Sequence, residues 1–118
     1  LSLHDALPIY QDILKKHKLY ATSTTGQMIE DVANLKIHKL LAGHFGGMQQ
    51  MGSKISNNEI DLLIFLQDPA NKKRTPDFYN VLNLCDQYNI PCATNLPTAE
   101  VLILALDRGD LDWRNMYK

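Results

Sequence analysis

The sequence predicts a parallel α/β domain, and three observations carry that prediction. Segments of helical and strand periodicity alternate along the chain, the order expected of right-handed crossovers on a parallel sheet. One strand-length run, residues 60–66, is apolar almost throughout instead of alternating, as a strand covered on both faces is. Turns rich in hydroxyls or glycine follow the predicted strands, at the carboxyl ends where such sheets hold their ligands.

The 118 residues, 45% of them hydrophobic, suffice for one domain around one core. With 12 basic and 13 acidic residues the net charge is −1, so no excess charge points to nucleic acid or to an anionic membrane surface. An anionic ligand therefore has to be held locally. Cys85 and Cys92 have neither metal-site nor CxxC spacing and are expected to be reduced core residues of a cytosolic protein. No apolar run reaches the roughly 18 residues of a membrane span, and no secretory leader is expected.

Residues 1–9 read as a segment outside the domain, non-native or disordered, because the mixed run ending after Pro8 has no strand period and no helical stripe joining it to the next element. The domain is placed at residues 10–118. Within residues 9–18, Ile9, Ile13 and Leu14 share a helical face, with Lys15 and Lys16 at the C-terminal end. Leu19 to Thr22 reads as a short strand. Met28, Ile29, Val32 and Ala33 then recur at helical spacing up to Asn34, which completes a βα unit.

Residues 35–40 alternate apolar and polar as a strand buried on one face does, and they run into Leu41-Ala42-Gly43-His44-Phe45-Gly46-Gly47, whose glycines let backbone approach a ligand. A weaker helix is predicted at 48–57, where Gly52 costs about 1 kcal/mol relative to Ala; Asn57-Asn58 ends it. After the apolar strand come Gln67, Asp68 and Pro69 and the basic loop Asn71-Lys72-Lys73-Arg74. Thr75 caps the next helix with Pro76 at its first position, and Phe78, Val81, Leu82 and Cys85 form the inward stripe. A short strand at 90–94 precedes a final helix at 97–106, apolar almost all round at Val101, Leu102 and Ile103 and stopped by Arg108-Gly109. The tail, with Trp113 and Tyr117, is expected to dock on the surface.

The candidate anion site is the turn Thr22-Ser23-Thr24-Thr25-Gly26. A helix N-terminus leaves backbone N–H groups without partners, and the hydroxyls add donors, so a phosphate can be held there without any lysine. The competing reading is simple N-capping by one Thr with the rest solvated. Asp68 also reads as a turn residue and Asp77 as a charge complementing a helix dipole. His38 and His44 read as surface or loop histidines, and Lys72, Lys73 and Arg74 as a solvated loop.

Taken together, five motifs in order resemble methylglyoxal synthase: Tyr20-Ala21-Thr22-Ser23-Thr24-Thr25-Gly26, the Gly43-to-Gln50 stretch, Asp61 to Pro69, Thr75-Pro76-Asp77, and Pro91 to Glu100 with its Ala93-Thr94-Asn95. The resemblance covers residues 10–117. It implies a three-layer α/β/α domain with a parallel Rossmann-like sheet, similar in shape to the regulatory domain of carbamoyl phosphate synthetase. It also implies a cytoplasmic homohexamer, a place in a glycolytic bypass, and a lyase reaction that converts dihydroxyacetone phosphate to methylglyoxal and phosphate with no metal or organic cofactor. By the same resemblance Thr22, Ser23, Thr24, Thr25, Ala42 and Gly43 form the phosphate cradle, with Ala42 where the family often has Ser. Asp68 and Asp77 belong to the catalytic site.

Three departures accompany the resemblance. Met48 stands where the family has the aspartate that acts as base, and methionine cannot take a proton. The family histidine expected near Arg74 or Thr75 is absent. The family's opening strand, with its Ala-His-Asp and following lysine, has no counterpart, since His4 and Asp5 stand too close to Thr22. The alternative reading is a non-catalytic module that binds a phosphorylated regulatory ligand.

Overall fold

The computed structural model describes residues 3–66 and 76–117. Asp68, the Lys72-Lys73-Arg74 loop and Thr75 lie outside the described residues. In chain order the elements are α1 (Leu3–Leu14), β1 (Leu19–Thr22), α2 (Ser23–Val32), β2 (Ile37–Leu40), a 3₁₀ turn (Gly43–Phe45), α3 (Gly47–Ser56), β3 (Leu63–Ile64), α4 (Pro76–Gln87), β4 (Cys92–Ala93), α5 (Leu96–Asp107) and a C-terminal 3₁₀ segment (Asp112–Tyr117). Helices alternate with parallel strands, which is the α/β class the sequence predicts. Among the described residues β1 pairs with β2 and β3 with β4, each pair parallel. The chain divides into two compact units, Leu1–Gln50 and Met51–Lys118.

In the first unit α1 runs from Leu3 to Leu14, so it begins well before the helix start expected at Ile9. Burial explains the difference. Ala6 and Leu7 are only 3% and 6% exposed, and Leu7 joins Ala21, Ala33, Leu35 and Ile37 in one apolar cluster that Leu14 also packs against. Leu7 and Leu14, two turns apart, define the inward face. Ile9 lies about 200° round the helix from Leu7 and is 64% exposed, so it is not part of the stripe. Pro8 inside the helix withholds one backbone donor, a cost that the buried face outweighs.

β1 and β2 align from Leu19 opposite Ile37 to Thr22 opposite Leu40. β2 is shorter than the predicted 35–40 strand because the Leu35 N–H turns back to the Ala33 carbonyl at 2.9 Å. α2 lies close against this pair. A Cβ at Gly26 would stand 2.9 Å from Lys39 Cγ and 3.1 Å from Ile37 Cγ2, so the missing side chain is what permits the approach. Lys39 Nζ then reaches Glu30 Oε1 at 2.6 Å and Gln27 Oε1 at 3.0 Å, while the Ile37 N–H donates to Glu30 Oε2 at 3.3 Å. The bond from Lys39 and that from the Ile37 amide hold the Glu30 carboxyl below its ordinary value of 4.5.

The second unit is organised around Arg114, whose side chain is 4% exposed. Asn58 and Asn89 both adopt left-handed backbone, φ 60° and 56°, where α3 and α4 turn toward β3 and β4. Arg114 joins the two turns. Nη2 donates to Asn58 Oδ1 at 3.2 Å and to the Ile60 carbonyl at 3.3 Å, Nη1 donates to the Asn89 and Tyr88 carbonyls, and Nε donates to Asp61 Oδ1 at 3.3 Å. These bonds shorten the predicted 60–66 strand. With the Ile60 carbonyl and Asp61 engaged by Arg114, the ladder begins at Leu63, whose N–H donates to the Pro91 carbonyl, and continues with Phe65 N–H to the Ala93 carbonyl.

The inward stripe of α4 is as predicted at Phe78, Val81 and Cys85, all buried, and Phe78 meets Phe65 edge-on at 5.2 Å. Gly52 of α3 has a packing reason: a Cβ there would be 3.3 Å from Leu84 Cδ1. In α5, Ala99 and Ile103 are buried but Val101 is 63% exposed, so its apolar circumference is covered on one side only. Both cysteines are free thiols; hydrogen bonding to Cys92 and burial push the Cys85 thiol up and keep it neutral.

Arg114→Ala leaves the Asp61 carboxylate, the Asn58 side-chain amide and three backbone carbonyls without this donor, and stranding buried acceptors in this way costs about 1 to 3 kcal/mol. Urea unfolding of the variant should show that loss. Glu30 predicts a pH effect of known sign. Its folded value is depressed, so its contribution is present above the unfolded value of 4.5 and is lost as pH falls through the lower folded value. The wild-type advantage over Glu30→Gln in urea midpoint should therefore be present at neutral pH and fade as the pH falls below 4.5.

Candidate functional site

Two turns meet the carboxyl edge of the β1–β2 pair. Thr22 closes β1 and is also the N-cap of α2, in extended backbone at φ −61°, ψ 156°. Its side chain makes no capping hydrogen bond. Side-chain capping by this Thr therefore does not explain the turn. The first N–H groups of α2 have no intrahelical acceptor, and the Thr24 and Thr25 side chains are exposed beside them. A helix N-terminus fringed by hydroxyls suits an anion.

The register Thr22 opposite Leu40 brings the second turn to the same edge. Ala42 is extended, and its carbonyl accepts from both Phe45 N–H at 2.9 Å and Gly47 N–H at 3.0 Å, folding residues 43–45 into a 3₁₀ turn. Gly46 comes next, in left-handed backbone at φ 103°. Gly47 is more constrained still: a Cβ there would sit 2.1 Å from the Leu41 carbonyl oxygen, a distance no side chain tolerates. Gln50 closes the loop from the far side, its Oε1 accepting from Leu41 N–H at 2.6 Å.

Met48 is the second residue of α3 and is half-buried. Its Cγ lies 4.0 Å from where a Cβ on Gly43 would be, so the loop brings position 48 beside the predicted cradle glycine. A thioether there offers packing and a weak acceptor but no proton exchange. Asp77 occupies the first turn of α4 and is half-buried. Asp68 is outside the described residues. Asn95 is spent on structure, since Oδ1 caps α5 by accepting from Thr98 N–H at 3.1 Å and Thr98 Oγ1 at 2.8 Å. Sequence reasoning does not reach the structural roles of Gly47 and Gln50; the Gly-Gly pair with a glutamine one helical turn on is the available signal.

The profile of the MGS-like domain matches residues 7–94. The chain belongs to the MGS-like domain family. Relatives bear this out: the chain is 54% identical over 108 residues to the methylglyoxal synthase of Caldicellulosiruptor saccharolyticus, covering 91% of this chain and 77% of that one. It is 51% identical over 110 residues to the methylglyoxal synthase of Clostridioides difficile, covering 92% and 80%. The crystal structure of methylglyoxal synthase from Elizabethkingia anophelis superposes with a TM-score of 0.75 at 33% identity, covering 86% of this chain and 67% of that one. The MGS-like family match includes both turns of the candidate site, along with α4 and β4.

The geometry at Gly47 sets a contrast within this MGS-like domain. Gly47→Ala forces the backbone of residues 41–42 to move and should lower stability by about 1 to 3 kcal/mol. Met48→Leu, one residue on, should stay within about 1.5 kcal/mol of wild type. Urea titration of both variants checks the difference.

Proposed function

We propose that the domain acts on dihydroxyacetone phosphate, yielding methylglyoxal and inorganic phosphate as a methylglyoxal synthase does. The observation that carries this reading is the family membership combined with the two donor-rich turns at one strand edge. In the reaction a base removes a proton from the carbon beside the carbonyl. The electron pair forms an enediolate, and the enediolate expels phosphate with cleavage of the carbon–oxygen bond. Donors must meet the developing oxyanion, and a cradle must hold the leaving phosphate. In this reading Thr22, Ser23, Thr24 and Thr25, with Ala42 and Gly43, supply the cradle. Asp68 and Asp77 are the carboxylates of the site, and the domain occupies residues 10–118.

Met48 occupies the position of the family base and removes that step's proton acceptor. General-base catalysis contributes about 10²- to 10⁴-fold, so the sequence as it stands should turn over slowly. Met48 thus favours a second reading, a non-catalytic module that binds a phosphorylated ligand for regulation. Both readings share the cradle and describe a cytoplasmic protein, a homohexamer by the resemblance.

Turnover measured on wild type and Met48→Asp separates them. A rise in kcat of about 10²-fold or more in Met48→Asp supports a lyase scaffold; unchanged, negligible turnover in both supports the binding module. Calorimetry with inorganic phosphate tests the cradle itself. Thr24→Val should weaken binding, and an unchanged affinity would put the anion elsewhere.

A further inference from the structure

We propose that the cleft at the amino ends of β1 and β2, on the opposite edge from the candidate site, binds a small anion carrying two adjacent phosphate groups. The cleft has a volume of about 400 Å³ and is lined by Lys15, His17, Lys18, Asn34, Lys36 and His38 together with Leu19. That size suits a small ligand. Among the described residues no carboxylate lines it, although the chain as a whole carries a net charge of −1.

The register explains why the charges converge. Leu19 opposes Ile37 and Tyr20 opposes His38, so Lys18 and Lys36 enter the two parallel strands side by side, at a backbone separation of about 5 Å. Side chains two apart on a strand share a face, which groups Lys18 and Lys36 with Tyr20 and His38. Asp12 meets Lys15 at 3.1 Å, but both side chains are more than half exposed, and such a pair contributes little.

One wall is already shaped. Lys18 Nζ stands 5.3 Å from the centre of the Tyr20 ring, and the Tyr20 and His38 rings lie 5.4 Å apart, so one aromatic side chain holds a cation above it and an imidazole beside it. Lysine is a strong point-charge partner for phosphate. Two lysines at strand spacing, with Lys15 nearby, match a diphosphate better than a single phosphate. The diphosphate can be free or part of a nucleotide, and the cleft chemistry is the same for both. This inference stands independently of the reaction proposed above, because none of the cleft residues belongs to the cradle.

Lysine footprinting reads the site directly. Acetylation of the intact protein by an amine-reactive ester, followed by mass spectrometry, is compared with and without inorganic pyrophosphate, and in a parallel arm with adenosine diphosphate. Protection of Lys18 and Lys36 by roughly tenfold relative to Lys54 is the expected result. Stronger protection by the nucleotide identifies a nucleotide ligand, and equal protection identifies a free diphosphate. Pyrophosphate that leaves Lys18 and Lys36 as reactive as before overturns the proposal. Calorimetry on Lys18→Gln/Lys36→Gln, whose substituted positions are exposed and should leave the fold intact, provides the second measurement. Loss of a pyrophosphate-binding event is expected, and a titration indistinguishable from wild type overturns the proposal.

Discussion

A single buried cation fixes how the second unit is wired. Arg114 sits far along the chain from the turns at Asn58 and Asn89, yet its guanidinium contacts both, along with the Ile60 carbonyl and Asp61. Arginine fits this place because its planar fork offers five donors that cannot be deprotonated. Each left-handed Asn turn redirects the chain from a helix toward a strand, and the shared cation ties the two turns that lead into β3 and β4. The ladder itself is only two residues long on each strand, so the starting points must be set by something other than strand pairing.

The first unit achieves similar order by a different means. There the close fits come from absent side chains: Gly26 lets α2 descend onto β1 and β2, and Gly47 lets α3 start against the Leu41 carbonyl. Polar anchors then lock what the glycines permit, with Glu30 and Lys39 joining α2 to β2 and Gln50 joining α3 to the end of β2. Both turns of the candidate site are therefore held by contacts just outside them. In the second turn the Phe45 and Gly47 N–H groups serve the fold through the Ala42 carbonyl, whereas the Thr22 side chain makes no capping bond in the first.

Where the structure depends on local chemistry, the sequence is readable. The β1 strand, the end of α2 shortly before Asn34, the start of α5 next to Pro97 and the inward stripe of α4 all depend on neighbours within a few residues. The βα order and the placement of the hydroxyl and glycine turns rest on the same local signals. The features that escape depend on distant partners. Arg114 receives no role from the sequence, and only its meeting with Asp61 across 53 positions shows why an acid interrupts the apolar run and why β3 starts late. Residues 3–9 escape for a related reason: the face that Ala6 and Leu7 form is apolar only in relation to the cluster it covers. Position 48 draws notice in the sequence through the family resemblance, and the structure adds that its side chain lies beside Gly43.

The fit at Gly47 bears on how such a domain can change over time. The loop takes its shape from the hydrogen atom at 47, where a Cβ would meet the Leu41 carbonyl oxygen, and the side chain at 48 is half-buried beside Gly43. Chemistry and architecture are thus inherited through separate positions. If position 48 has the role proposed for it, a substitution there alters the chemistry of the site and leaves in place the glycine that shapes the loop.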